Sequence, residues 1–321
     1  MQLKIVITRK LPERFINVLP SSIEVVMWES DHIPMPREQL LAQIKEADAL
    51  LTVLSDRIDR ELLAAAPRLK IVSNLAVGYD NIDVGAATDL SIVVTNTPDV
   101  LTETTADLTF ALLLATARRM GEGMELVKED QWRSWSPFFL AGGDVHHKTV
   151  GIFGMGAIGQ AVASRAKGFQ MEVIYHNRNR RLEAEKALGA TYVSFEELLR
   201  TSDFVVCLAP LTKETADIFN YEAFKQMKPT TYFINAGRGK VVVEEDLVKA
   251  LSDKRIAGAG LDVFREEPIR SHHPLLQLKN VVALPHVGSA SIDTRTKMIQ
   301  LCLKNIERVV EGNSPLTPVK L

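Results

Sequence analysis

Cysteine is almost missing from this chain: there are two in 321 residues, Cys207 and Cys302. Both sit in apolar runs, FVVCLA and IQLCLK. Buried thiols are therefore expected rather than a disulfide, and a reducing, cytoplasmic compartment fits. An excess of one charge is missing too. Lys and Arg number 38 against 40 Asp and Glu, a formal net charge of −2. That balance gives no reason to expect nucleic acid or a membrane surface as partner. No apolar run is long enough to span a bilayer. The opening MQLKIVITRK reads as the start of a strand, not as a secretory signal. No low-complexity tail is expected. What remains, 46% hydrophobic and 24% charged residues, is the balance of a globular protein. The length favours two domains.

The most informative stretch is KTVGIFGMGAIG, residues 148–159. Thr149 to Phe153 reads as a short buried strand. Gly154, Gly156 and Gly159 follow as G-x-G-x-x-G, with Met155, Ala157 and Ile158 between them. QAVASRAKGF then has helical spacing and ends at Gly168. Strand, glycine turn and helix make the first half of a dinucleotide-binding βαβ unit. Gly154 allows the tight turn, Gly156 lets backbone approach a pyrophosphate, and Gly159 lets helix and strand pack closely. The helix N-terminus offers free N–H groups to the phosphates.

The second strand, MEVIYH (171–176), ends in Asn177-Arg178-Asn179-Arg180-Arg181. An NAD enzyme usually places an acid there, for the ribose 2′-OH. Here cations replace it, able to make charge-assisted bonds to a 2′-phosphate. Asn177 and Arg178 are thus cofactor candidates, and NADPH is expected over NADH. A solvated basic loop that tolerates either cofactor is the alternative.

Before this unit, residues 1–100 alternate short apolar runs with amphipathic stretches. Such alternation argues a parallel sheet with helices on its faces. None of its strands is followed by a glycine-rich phosphate loop. In AVGYDNID (76–83), the Val77 and Gly78 N–H groups face two readings: a holder for a small carboxylate, or a plain turn before a capped helix. TTADLTFALLLATARRM, with Thr102 as N-cap, predicts a connecting helix apolar almost all round, loosened at its end by Gly121 and Gly123. The aromatic QWRSWSPFF segment (131–139) is expected to pack into a core, with a dimer contact or a lid as alternatives. His146 and His147 have no cysteine or carboxylate at ligand spacing, so no metal is expected.

Later strands end in polar or glycine residues: Ala209-Pro210, then NAGRG, then LPHVGS. Three side chains there suit reduction of a 2-oxoacid. Arg238, between two glycines, offers a planar fork that matches a carboxylate. His286 is a suitable proton donor, since an unperturbed imidazole titrates near ~6.5. Glu267 can fix the imidazole's tautomer. Each also has a bland reading: a surface cation, a loop acid before Pro268, a histidine satisfied at a strand end.

Together, NLAVGYDNID, TADLTFALLLATARR, KTVGIFGMGAIG, YHNRNR, APLTKET, FINAGRGKVV, AGAGLDVFREEP and LPHVGSA resemble the D-2-hydroxyacid dehydrogenase family along nearly the whole chain. The likeness is nearest to glyoxylate/hydroxypyruvate and 2-ketogluconate reductases. It implies two flavodoxin- or Rossmann-like α/β domains with parallel sheets. The substrate domain would comprise 1–100 plus 287–321, with the nucleotide domain, 101–286, inserted. It implies a homodimer and a small 2-oxoacid substrate. Carried over by motif, Arg238 binds the substrate carboxylate, Glu267 tunes the histidine, and His286 donates the proton. Val77, Gly78 and Ser289 would touch substrate. Ala209, Pro210, Thr215, Ala236, Asp262 and Gly288 would line the cofactor. The regulatory domain of many phosphoglycerate dehydrogenases is not expected. The expected reaction is hydride transfer from NADPH to C2 of glyoxylate or hydroxypyruvate. A sugar-acid reductase and a non-catalytic, nucleotide-sensing corepressor are the alternatives.

Overall fold

The computed structural model describes residues 2–319. The chain divides into two units: residues 1–101 with 291–321, and Thr102–Ala290. The second passage falls at Ala290–Ser291 rather than at 286–287. Residues 284–288 are tied into the second unit, with Leu284 N–H donating to Leu261 O and Val287 and Gly288 N–H donating to Asp262.

The first unit holds a five-stranded sheet: β1 (Leu3–Ile7), β2 (Ile23–Met27), β3 (Ala49–Thr52), β4 (Ile71–Asn74) and β5 (Val93–Thr95), in the order β2-β1-β3-β4-β5. Every pairing is parallel. These strands read as unbroken apolar runs because helices cover both faces of such a sheet. The Ile292–Val310 helix, capped by Ser291, belongs to this unit. Its Cys302 carbonyl accepts from Ser73 Oγ. The tail then returns along the sheet, with Val319 N–H donating to Val94 O and Thr317 Oγ1 to Asn96 O.

The second unit holds seven parallel strands: β6 (Thr149–Phe153), β7 (Glu172–His176), β8 (Thr191–Tyr192), β9 (Phe204–Cys207), β10 (Tyr232–Asn235), β11 (Gly258–Leu261) and β12 (Val281–Ala283). Their order, β12-β11-β10-β9-β6-β7-β8, reverses between β6 and β9, which is where dinucleotides bind such sheets. β8, a two-residue edge, has no apolar run to announce it. Phe153, Phe195, Phe219, Phe224 and Phe233 pack edge-to-face or tilted beneath the sheet. Cys207 and Cys302 are buried free thiols, each pushed up to about 12 by desolvation.

Two expectations are corrected. The connecting helix, Thr102–Ala117, includes Thr102 in its first turn and is not buried all round. Glu103, Asp107 and Ala111 form an exposed stripe, and Arg165 bonds both acids. Gly121 and Gly123 do not end it; Arg119 does, at a φ of 52°, and both glycines lie in a second helix, Met120–Lys128. A bidentate bond from Arg119 to Glu122 holds that corner. The 131–139 segment is not core: Trp135 is 77% and Phe138 87% exposed. Trp132, Trp135 and Phe139 have helical spacing, but residues 131–136 form no regular element and 137–140 form a turn, so that spacing builds no single apolar face.

Candidate active site

The glycine turn between β6 and the Ala157–Gly168 helix assigns each glycine a separate task. Gly154 has a φ of +109°, and a Cβ there would meet Ala209 N at 2.6 Å. The turn therefore lies against the end of β9. A Cβ on Gly159 would meet Gly154 O at 2.3 Å, so helix and strand depend on its absence. A Cβ on Gly156 would meet nothing within 4 Å. Its missing side chain serves no packing within the protein; it leaves the helix N-terminus open to a ligand. That cradle fits a pyrophosphate. Met155 is fully buried, so only its backbone faces such a ligand, while Ala157 is exposed and Ile158 half-buried.

At the end of β7, Tyr175 donates to Glu185 at 2.7 Å and accepts Arg181 N–H at 2.7 Å. Burial, and then the carboxylate, raise its phenol above the ordinary range. Arg180 is bound by the same Glu185. Asn177 closes the turn onto Asn179 O. Arg178 is exposed and close enough to Glu214, beyond β9, to help hold that carboxyl below its usual range, after a hydrogen bond from Thr212. Of the three cations in the motif, Arg180 is committed to the fold. Thr215 also serves its own loop, donating to Pro210 O at 2.7 Å and accepting Thr212 N–H at 2.8 Å.

The ends of β10, β11 and β12, neighbours in the sheet, bring the remaining groups together. His286 Nδ1 lies 2.7 Å from Glu267 Oε2. Glu267 Oε1 accepts Phe264 N–H at 3.0 Å, and a cis peptide joins Glu267 to Pro268. His286 has a φ of 54°, so the chain reverses sharply there. The reversal is held by Asp262, whose two oxygens accept Val287 and Gly288 N–H, each at 2.8 Å. Burial raises the Asp262 carboxyl, and those two N–H groups oppose the rise. Arg238 sits on a turn clamped by Asn235: its Oδ1 accepts Gly237 N–H at 3.1 Å and its Nδ2 donates to Arg238 O at 3.0 Å. A Cβ on Gly239 would fall 1.9 Å from the Phe264 carbonyl group. The Arg238 turn and the Glu267 loop are therefore in direct backbone contact.

A model of the D-isomer specific 2-hydroxyacid dehydrogenase NAD-binding domain matches residues 110–288. The chain belongs to the D-isomer specific 2-hydroxyacid dehydrogenase family. It is 51% identical to a glyoxylate reductase of Thermococcus onnurineus and 50% to one of Pyrococcus furiosus, each over 99% of this chain and 96% of the relative. An NADPH-dependent glyoxylate/hydroxypyruvate reductase from Sinorhizobium meliloti, solved with NADP and malonate, superposes with a TM-score of 0.87 at 35% identity, covering 99% of this chain and 97% of that one. Membership makes the chain an oxidoreductase that uses a nicotinamide cofactor, and nothing supports the non-catalytic alternative.

Within this dehydrogenase, sequence reasoning missed one group, Asn235, and one role, that of Asp262. Asn235 reads as an ordinary strand residue in FINAGRG, and its clamp appears only once the turn is built. Asp262, expected along the cofactor, also tethers the His286 reversal by accepting Val287 and Gly288 N–H. Ala236 is half-buried, with its N–H donating to Cys207 O. Gly288 is buried beside Asp262 and Ser289 is half-buried. Val77 and Gly78 follow β4 in the first unit, both half-buried. No helix among the described residues is long and apolar enough to cross a membrane.

Proposed function

We propose that this dehydrogenase is an NADPH-preferring reductase of small 2-oxoacids, converting glyoxylate or hydroxypyruvate to glycolate or D-glycerate. The observation that carries the reading is the His286–Glu267 pair at 2.7 Å, which joins the segments after β12 and β11, with the Arg238 turn after the neighbouring β10. When bound, the reduced cofactor supplies hydride to C2 of the substrate. The chain's own residues do the rest. Glu267 accepts the hydrogen on Nδ1, which leaves Nε2 to carry the proton delivered to the carbonyl oxygen. Arg238 engages the substrate carboxylate with its planar fork. The Val77 and Gly78 N–H groups are assigned to a substrate carboxylate.

NADPH is supported by the absence of an acid at the end of β7 and by exposed Arg178. The names of the relatives at about half identity support glyoxylate as substrate. A homodimer is supported by the exposed apolar side chains of Met124, Val127, Trp132, Trp135 and Phe138. Two unpaired buried thiols support a reducing, cytoplasmic setting. A panel of 2-oxoacids assayed with both cofactors tests the reading. Highest kcat/KM for glyoxylate or hydroxypyruvate with NADPH is expected. Equal or better turnover with NADH defeats the cofactor assignment, and no turnover of either acid defeats the substrate assignment. Sedimentation of a monomer defeats the dimer.

A further inference from the structure

In the first unit, the loop after β4 has its carbonyls tied back one by one. Ala76 O accepts Thr97 N–H at 2.9 Å. Val77 O accepts Asn96 Nδ2 at 2.8 Å, and Gly78 O accepts Asn74 Nδ2 at 2.8 Å. In a trans peptide the C=O and the following N–H point in opposite directions. Turning those three oxygens inward therefore turns the N–H groups of Val77, Gly78 and Tyr79 the other way. None of the three has an acceptor among the described residues. Successive outward amides of this kind make an anion-binding concavity. The supporting residues are themselves unusual. Among the described residues, the buried side-chain atoms left without a hydrogen-bond partner are Asn74 Oδ1 and Thr97 Oγ1, and both residues brace this loop. A fully buried amide that uses its donor and leaves its acceptor idle costs stability. Keeping it makes sense where the donor is needed for something other than stability.

We infer that Asn74 and Asn96 are positioning residues for the substrate carboxylate: their amide groups hold the Gly78 and Val77 carbonyls inward and so aim the Tyr79 and Gly78 N–H groups at the anion, giving the site a third donor, Tyr79 N–H. This rests on the proposed 2-oxoacid reading. In this role each asparagine acts through the loop backbone. An aspartate in either place would set a carboxylate against a carbonyl oxygen and add negative charge behind the anion.

The test is binding of oxamate, a non-reducible 2-oxoacid mimic, to the enzyme loaded with reduced cofactor, alongside cofactor affinity and melting temperature. For Asn74→Leu and Asn96→Leu, the oxamate Kd should rise by about 10- to 100-fold, the scale of losing a hydrogen bond to a charged group. The KM for glyoxylate should rise with it and kcat should change less, while cofactor Kd stays unchanged. Asn74→Asp should weaken oxamate further. A lowered melting temperature with unchanged oxamate Kd would mean a merely structural role and overturns the inference. Should a leucine variant not fold, the alanine variant at the same position is measured against the same expectations. A wild-type enzyme that does not bind oxamate overturns the 2-oxoacid reading itself. A wild type that binds, beside variants that bind equally well, overturns only the role of the asparagines.

Discussion

Replacing Glu267 by glutamine removes one charge and turns one acceptor into a donor where both carboxylate oxygens are in use. Oε1 takes Phe264 N–H at 3.0 Å and Oε2 takes the His286 Nδ1 hydrogen at 2.7 Å. A glutamine has one oxygen to share between two donors. If it faces His286, its NH2 group confronts Phe264 N–H; if it turns over, it confronts the imidazole. A hydrogen bond to a charged group is worth about 1.5–3 kcal/mol. The side chains of His286 and Glu267 keep 24% and 27% of their surface exposed, so water screens part of the effect. The lower half of that range applies, a fall in kcat/KM of about 10- to 50-fold for Glu267→Gln. Steady-state reduction of glyoxylate measures it, with cofactor affinity as the control for folding. A variant within experimental error of wild type, cofactor binding intact, would show that the pair does not assist proton transfer.

Four further outcomes are expected. His286→Ala should lower turnover by roughly 10²–10⁴, the scale of general acid catalysis, and near-normal kcat would remove His286 from that role. Gly156→Ala should leave the melting temperature alone, because nothing lies within 4 Å of the new methyl group, yet weaken cofactor binding in a titration; Gly159→Ala should destabilise the fold itself. Arg178→Ala should raise the KM for NADPH and spare NADH; an equal effect on both would make Arg178 a bystander. Asp203→Asn should cost about 1 kcal/mol at neutral pH. Burial pushes the Asp203 carboxyl up, but Lys228 and Thr149 N–H outweigh it and hold the carboxyl below the usual range. A depressed carboxyl stabilises the fold above its unfolded pKa of about 3.9, and that stability is lost as pH falls through the folded value. Unfolding curves should therefore differ between wild type and variant at pH 7 and converge in acid; a constant gap would assign the loss to packing.

Much of this molecule was legible in its sequence because parallel strands buried on both faces are written as short apolar runs. Glycines doing separate mechanical jobs leave a fixed spacing. The roles that escaped share a physical trait: they are defined by who sits opposite. Nothing in FINAGRG marks Asn235 as a clamp, and nothing in GLDVF marks Asp262 as a tether. Arg119 gives no warning that it will adopt a left-handed conformation, which asparagine or glycine adopts far more readily. The aromatic 131–139 segment misled because bulk and apolarity alone do not say which surface is covered, and by whom.

The contact at Gly239 has one more consequence. With 1.9 Å between its absent methyl and the Phe264 carbonyl group, the guanidinium-bearing turn and the carboxylate-bearing loop interlock like two teeth of a gear. A side chain at position 239 would push the two apart. Bulk added at that one position would therefore disturb the turn that carries Arg238 and the loop that carries the partner of the imidazole at the same time.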